Sequence, residues 1–214
     1  MAFDYSYLED SIKENAHRGD AAFTAQIPYF VSLAEVLIDR ELRVREQEVR
    51  LPITLTDAFE AIPDDYLEMR AIHIVVPRGR HSIPQVTPQL LDNKYSMATG
   101  YPKAFAIHGN EFEFRPAPVA GGSPTATTYE VEISYLTKLT ALTEPGVVPA
   151  GTTTNPILTN YPFLYLAACM IQAYLFVQDS EQRDVWIDVF TSQIATANAT
   201  TTKGHYVNPS IVAN

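Results

Sequence analysis

The sequence is poor in cysteine and in basic side chains, and each scarcity excludes a class of protein. Cys169 is the one cysteine, so the chain cannot form an internal disulfide, which fits a reducing compartment. Lys and Arg number 15 against 25 Asp and Glu, a formal net charge of −10. We therefore do not expect a protein that grips nucleic acid over a broad basic surface.

The sequence also lacks the short motifs that mark common enzyme sites. It has no G-x-S-x-G, no phosphate-binding glycine loop and no H-E-x-x-H. Cys169 lies in an apolar run and is predicted to be a buried, unreactive thiol. The five histidines are His17, His73, His81, His108 and His205, and no two of them have metal-ligand spacing. We therefore expect no catalytic, cofactor or metal site.

Two polar clusters leave alternatives open. Asp64-Asp65 after Pro63 fits a turn or helix cap better than half of a glycosidase carboxylate pair. Residues 78–81, Arg-Gly-Arg-His, fit a solvated turn better than a phosphate or acidic-partner contact.

No segment is expected to direct the chain to a membrane. The first residues lack the basic start and apolar run of a secretory signal. Residues 161–177 are almost wholly apolar, but a span needs about 20 such residues. They are predicted to form a buried core helix.

Hydrophobic spacing predicts helices at both ends of the chain. Ser6 and Glu9 form a capping-box pattern that opens a first helix. A second helix opens near Thr24 or Ile27, and its apolar residues lie on more than one side, so we expect it to be covered on more than one side. A last helix follows a cap at Asp179.

The middle of the chain has the two-residue period of strands. Residues 49–55 alternate around Pro52, which favours an edge strand or a bulge. Gly109-Asn110 predicts a hairpin turn within residues 105–114. Residues 129–135 predict a half-buried strand, while residues 117–128 and 199–214 read as a loop and a polar tail.

These patterns predict an α+β fold, a helical bundle from N- and C-terminal helices with a central antiparallel β insertion. The expected boundaries are N-terminal helices in residues 1–45, the β-rich insertion in 46–140 and the C-terminal helices in 141–198. Residues 199–214 are expected to form an extended C-terminal tail.

Short segments spread in order along most of the chain carry a family resemblance, although none is specific alone. They are His17-Arg18, residues 25–28 (AQIP), 33–35 (LAE), 40–45 (RELRVR), 62–70 (IPDDYLEMR), 114–118 (FRPAP), 154–158 (TNPIL), Tyr161-Pro162, Leu164-Tyr165 and 179–181 (DSE) ahead of Trp186.

Together these segments resemble the phage adaptor protein family of head–tail connectors. The resemblance implies a ring, usually of twelve copies, that docks under the portal protein and continues the DNA channel toward the tail. It also implies a virion neck protein assembled in the host cytoplasm, with no catalytic residues to carry over and DNA passing without sequence-specific binding. A tail-completion or stopper protein is the nearest alternative, and a virion-associated cell-wall hydrolase is a more distant one.

The charged stretch at residues 39–50 has eight charges among twelve residues, of both signs. It is either a solvated, salt-bridged helix end or a charge ladder between subunits. The C-terminal tail is expected to be held by a neighbour or by the portal. The candidate subunit or portal interface is Arg40, Glu41, Arg43, Arg45, Glu46, Glu48 and Arg50, with Tyr206, Asn208 and Ile211 of the tail.

Overall fold

A computed structural model describes residues 3–77, 79–95, 98–118, 128–147 and 152–205. Most of the expected loop at 117–128, Arg78 of the expected turn and residues 206–214 of the expected tail lie outside these residues. The described chain forms two units. One contains the residues up to Gln47 together with those from Lys138 onward, and the other is Glu48–Thr137.

The first unit, called the helical unit below, is built from the helices at both ends of the chain. A 3-10 turn, Arg45–Gln47, follows its third helix. The helices are α1 (Tyr5–Ala16), α2 (Ala21–Thr24), α3 (Ile27–Glu41), α5 (Pro156–Asn160), α6 (Pro162–Val177) and α7 (Ser180–His205), while α4 (Pro88–Lys94) belongs to the second unit.

Local side chains explain where these helices begin. Asp4 caps α1 by accepting from the Tyr7 amide, so the predicted cap at Ser6 was wrong and Ser6 lies inside the helix. The predicted cap at Asp179 is confirmed, because its carboxylate accepts from the Gln182 amide at 3.0 Å. The α7 helix continues to His205, so residues 199–205 are helical and not part of an extended tail.

One apolar core holds the helical unit together. The α6 helix lies in that core with Leu164, Tyr165 and Cys169 fully covered, which confirms the predicted buried helix. Residues Ala21–Glu41 have the length and hydropathy of a membrane span. They form α2 and α3, whose inward face joins the same core, whereas Val36 is 67% exposed and the expected second covered side is not seen there.

The second unit, called the sheet unit below, contains two antiparallel sheets within the described residues. One sheet has the order β1-β7-β3-β4, and the other has the order β2-β6-β5. The strands are β1 (Glu48–Leu55), β2 (Phe59–Ala61), β3 (Tyr66–Val76), β4 (Gly79–Ile83), β5 (Ala104–His108), β6 (Glu111–Arg115) and β7 (Tyr129–Thr137).

The strand pairing confirms two predictions from the sequence, an edge strand and a hairpin. The β1 strand lies at an edge, as Pro52 predicted, and its first residue pairs with Leu136 of β7. The predicted hairpin is confirmed by the pair Phe105 and Phe114, and Gly109 has the positive φ of 59° that its turn requires. The β7 strand is more buried than expected, because it lies between β1 and β3. The α+β prediction is therefore confirmed.

Candidate functional site

The last turn of α3 presents a charged pair to the surface. The Arg40 Nε lies 3.1 Å from Glu41 Oε1, and the two side chains are 73% and 47% exposed. An exposed pair of this kind adds little to the stability of a fold. Its charges are therefore accessible to a partner without being required by the core.

Arg43 is engaged inside the helical unit. Its Nη1 donates to the carbonyl oxygens of Asp39 at 2.8 Å and Leu42 at 2.7 Å, the carbonyls that a helix end leaves without partners. Its backbone amide donates to Asn198 Oδ1 at 2.8 Å, and Asn198 Nδ2 donates to the Glu41 carbonyl at 3.1 Å. Arg43 and Asn198 thus tie the end of α3 to α7.

Arg45 and Glu46 lie in the 3-10 turn that follows α3. Glu46 Oε1 accepts from Asn160 Nδ2 at 3.5 Å, at the junction of α5 and α6. Burial raises the pKa of the neighbouring Tyr161, the Glu46 carboxylate raises it further, and Arg45 opposes that rise. Arg45 itself is exposed. Glu46 is therefore partly occupied within its own subunit, and Arg45 is the more accessible charge.

The remaining predicted interface residues are separate from this group. Glu48 and Arg50 belong to β1 of the sheet unit, opposite Leu136 and Ser134 of β7. Tyr206, Asn208 and Ile211 lie outside the described residues. The five charged residues at positions 40–46 therefore belong to the helical unit.

An apolar groove beside Arg40 and Glu41 was missed by the sequence reasoning. Its volume is about 420 Å³, within the range of pockets that bind small ligands or side chains. The i, i+3, i+4, i+7 spacing of residues 187, 190, 191 and 194 was the available signal. The groove, called the α3/α6/α7 groove below, is lined by Leu37, Arg40, Glu41, Ile171, Gln172, Ile187, Phe190, Thr191 and Ile194.

Comparison with known proteins adds the family. A sequence model described as SU10 adaptor protein matches residues 4–211, nearly the whole chain. The chain belongs to the SU10 adaptor protein family. It is therefore a phage adaptor protein, as the resemblance suggested. No curated protein matches it.

The groups considered for catalysis in this adaptor have structural partners. Asp65 accepts from the Tyr135 hydroxyl at 3.0 Å and from Thr137 Oγ1 at 2.9 Å. Burial and this hydrogen bond raise the pKa of Tyr135 to about 12. Asp65 therefore joins β7 to the turn before β3. Neither oxygen of this carboxylate is without a hydrogen bond.

The cysteine and histidines likewise form no reactive cluster in the part of the chain that the structure describes. Burial raises the pKa of the Cys169 thiol, and the nearby Glu35 charge raises it further. A thiol with a raised pKa is a poor nucleophile. No group of three or more His, Cys, Asp or Glu side chains among the described residues could hold a metal ion.

Proposed function

We propose that this adaptor is a non-enzymatic subunit of a ring in the virion neck, docked on the portal protein and extending the DNA channel toward the tail. Membership of the adaptor family supports contacts with portal and tail proteins. The observation that carries the proposal is the exposed Arg40–Glu41 pair beside the α3/α6/α7 groove. It combines charge and apolar surface at one place on the helical unit.

The geometry of a ring explains why such a surface is needed. Copies in a ring meet head to tail, so each copy uses two different faces and not one self-complementary face. Exposed charges of both signs steer association and set the register of such a contact. Arg40 and Glu41 meet this requirement, whereas Arg43 is occupied at the end of its own helix.

The net charge of −10 supports passage of DNA without tight binding. An acidic wall repels phosphate groups, so the genome slides along the channel. We expect purified rings not to retain duplex DNA in a filter-binding measurement at low salt. Tight, salt-sensitive retention would contradict this part of the proposal.

Particle mass measured by light scattering tests the ring itself. We expect the adaptor, alone or mixed with purified portal protein, to form a particle of about twelve copies, as the family resemblance implies. Arg40→Glu should lower the fraction of ring, because it places two anions side by side at positions 40 and 41. Lys103→Glu makes the same charge change at an exposed position of the sheet unit and should leave assembly unchanged.

Three outcomes would redirect the proposal. A monomer that also fails to assemble on purified portal would overturn the ring. A ring that binds purified tail proteins but not portal would instead indicate a tail-completion or stopper protein, one layer lower in the neck. Clearing of peptidoglycan in a zymogram would favour a virion-associated hydrolase.

A further inference from the structure

The α3/α6/α7 groove has the chemistry of a socket for an uncharged apolar segment. Ile187 is 39% exposed on one wall, and Phe190 and Ile194 lie deeper. The two charged residues at the groove, Arg40 and Glu41, pair with each other at 3.1 Å. A charged occupant would lose its hydration against the apolar side chains of Ile187, Phe190 and Ile194. An uncharged segment has no such cost.

The shape of the groove restricts how copies can use it. Two concave surfaces placed together leave both unfilled, so the groove cannot be its own complement. Its occupant must be a projecting segment from elsewhere on the chain or from another protein. A contact between a groove and a projection is heterologous, which is the type that a closed ring requires.

The end of the chain supplies a matching segment. Residues 206–214 read Tyr-Val-Asn-Pro-Ser-Ile-Val-Ala-Asn and contain no charged side chain. They follow His205, the last described residue of α7. The apolar side chains in the segment are those of Tyr206, Val207, Ile211 and Val212, together with small or uncharged neighbours.

Chain geometry favours the groove of another copy over the segment's own groove. Ile187 is eighteen residues before His205, or about 27 Å along the α7 axis. Ile211 is six residues beyond His205, so it could reach back only about 20 Å even if fully extended, past Ile194 but short of Ile187. The segment therefore cannot extend along the whole of its own groove, a limit that does not apply to the groove of another copy.

We propose that residues 206–214 of one copy bind the α3/α6/α7 groove of the next copy. This inference rests on the proposed ring, because the contact is too small to hold two subunits alone. Stable interfaces bury roughly 1,200 Å² or more and involve about 20–30 residues on each side, against nine residues in this segment. Neighbouring contacts in the ring raise the effective concentration of the segment at the groove.

Disulfide trapping between two singly substituted chains tests the contact. Ile187→Cys chains mixed with Ile211→Cys chains, assembled and mildly oxidised, should give a covalent dimer. Val185→Cys is the matched control, since Val185 is 56% exposed on the same helix but is not part of the groove. The native Cys169 is fully buried and should not compete. We expect several-fold more dimer from Ile187→Cys than from the control.

The alternative outcomes are distinguishable. Equal trapping by Val185→Cys, or rings without any trapping, would overturn this inference and leave the ring intact. Intramolecular trapping in the diluted double variant Ile187→Cys/Ile211→Cys, without trapping between copies, would assign the segment to its own groove and also overturn it. Failure of the unsubstituted chain to form a ring, alone or on portal, would count against the proposed function instead.

Discussion

The helical unit and the sheet unit provide hydrogen-bond partners for their backbone amides in different ways. In the sheet unit, the strand ladders pair the main chain, and a core of aliphatic and aromatic side chains fills the interior. In the helical unit, the segment that follows β7 relies on side chains. Asp39 accepts from the Leu139 amide at 2.8 Å, and Glu35 accepts from the Leu142 amide at 2.7 Å. The inward polar residues of α3 are thus committed to the fold.

This difference explains which charges remain for partners. The Glu35 carboxylate also accepts from the Tyr165 hydroxyl at 2.8 Å, and Asn155 donates to that hydroxyl at 3.1 Å. Burial raises the pKa of Glu35 and of Asp39, although these hydrogen bonds oppose the rise. Only toward the end of α3, at Arg40 and Glu41, do charged side chains reach the surface of the groove.

Removing one aromatic ring from the sheet unit should have the largest effect. Phe112 is fully buried, and its ring centroid lies 6.1 Å from that of Phe105 and 5.9 Å from that of Tyr66. Phe112→Ala should lower the free energy of unfolding by about 3–5 kcal/mol in urea denaturation, with faster hydrogen exchange in β5 and β6. The exposed Phe59→Ala is the control. A similar loss in both variants would contradict a packed aromatic core.

Removing the buried carboxylate of the helical unit should cause the second-largest loss of stability. Glu35→Ala leaves the Leu142 amide and the Tyr165 hydroxyl without their acceptor, at a cost of about 2–3 kcal/mol in urea denaturation. Glu35→Gln retains an acceptor oxygen and should lose much less. Equal losses in the two variants would show that side-chain volume, and not the hydrogen bonds, matters at this position.

The unsubstituted chain and the Glu35→Gln variant should differ in how their stability depends on pH. Because the folded pKa of Glu35 is raised, the folded chain binds the proton more tightly than the unfolded chain does. Stability relative to Glu35→Gln is therefore greatest below the unfolded pKa of 4.5, falls as the pH rises and levels off above the raised pKa. Urea titrations of both chains between pH 4 and pH 8 measure this difference. Asp39, which faces Glu35, remains in both chains and should cancel.

Substitutions of Arg43 and Arg40 should distinguish a residue that stabilises the fold from one that contributes to assembly. Their effects on stability should be the smallest of this series. Arg43→Ala removes two hydrogen bonds at the end of α3 and should cost about 1–2 kcal/mol. Arg40→Ala should change stability by less than about 0.5 kcal/mol. It should nevertheless weaken the ring in light scattering. A greater loss of stability in Arg40→Ala than in Arg43→Ala would mean that Arg40, and not Arg43, stabilises the fold.

Local features of the fold could be predicted from the sequence, because their determinants are neighbours in the chain. Gly109-Asn110 set the hairpin, and Asp179 set the start of α7. The cap of α1 was wrong by two positions because Asp4 and Ser6 are both good caps, and only the geometry selects Asp4.

Features that depend on distant residues could not be predicted. The position of β7 between β1 and β3 depends on pairing across more than 50 residues of chain. A buried role for Glu35 depends on Leu142 and Tyr165, more than 100 residues away. In the charge run, Arg40 and Arg43 look alike in sequence, and only Asn198 and the helix end distinguish them.

The pairing of Glu48 with Leu136 has a consequence for how such chains diversify. Paired residues of antiparallel strands lie only about 5 Å apart, so the inserted sheets begin and end at almost the same point. A tight turn could close that gap in a chain from which the whole insertion had been lost. An insertion of any size built on this pair of strands would begin and end at the same short separation.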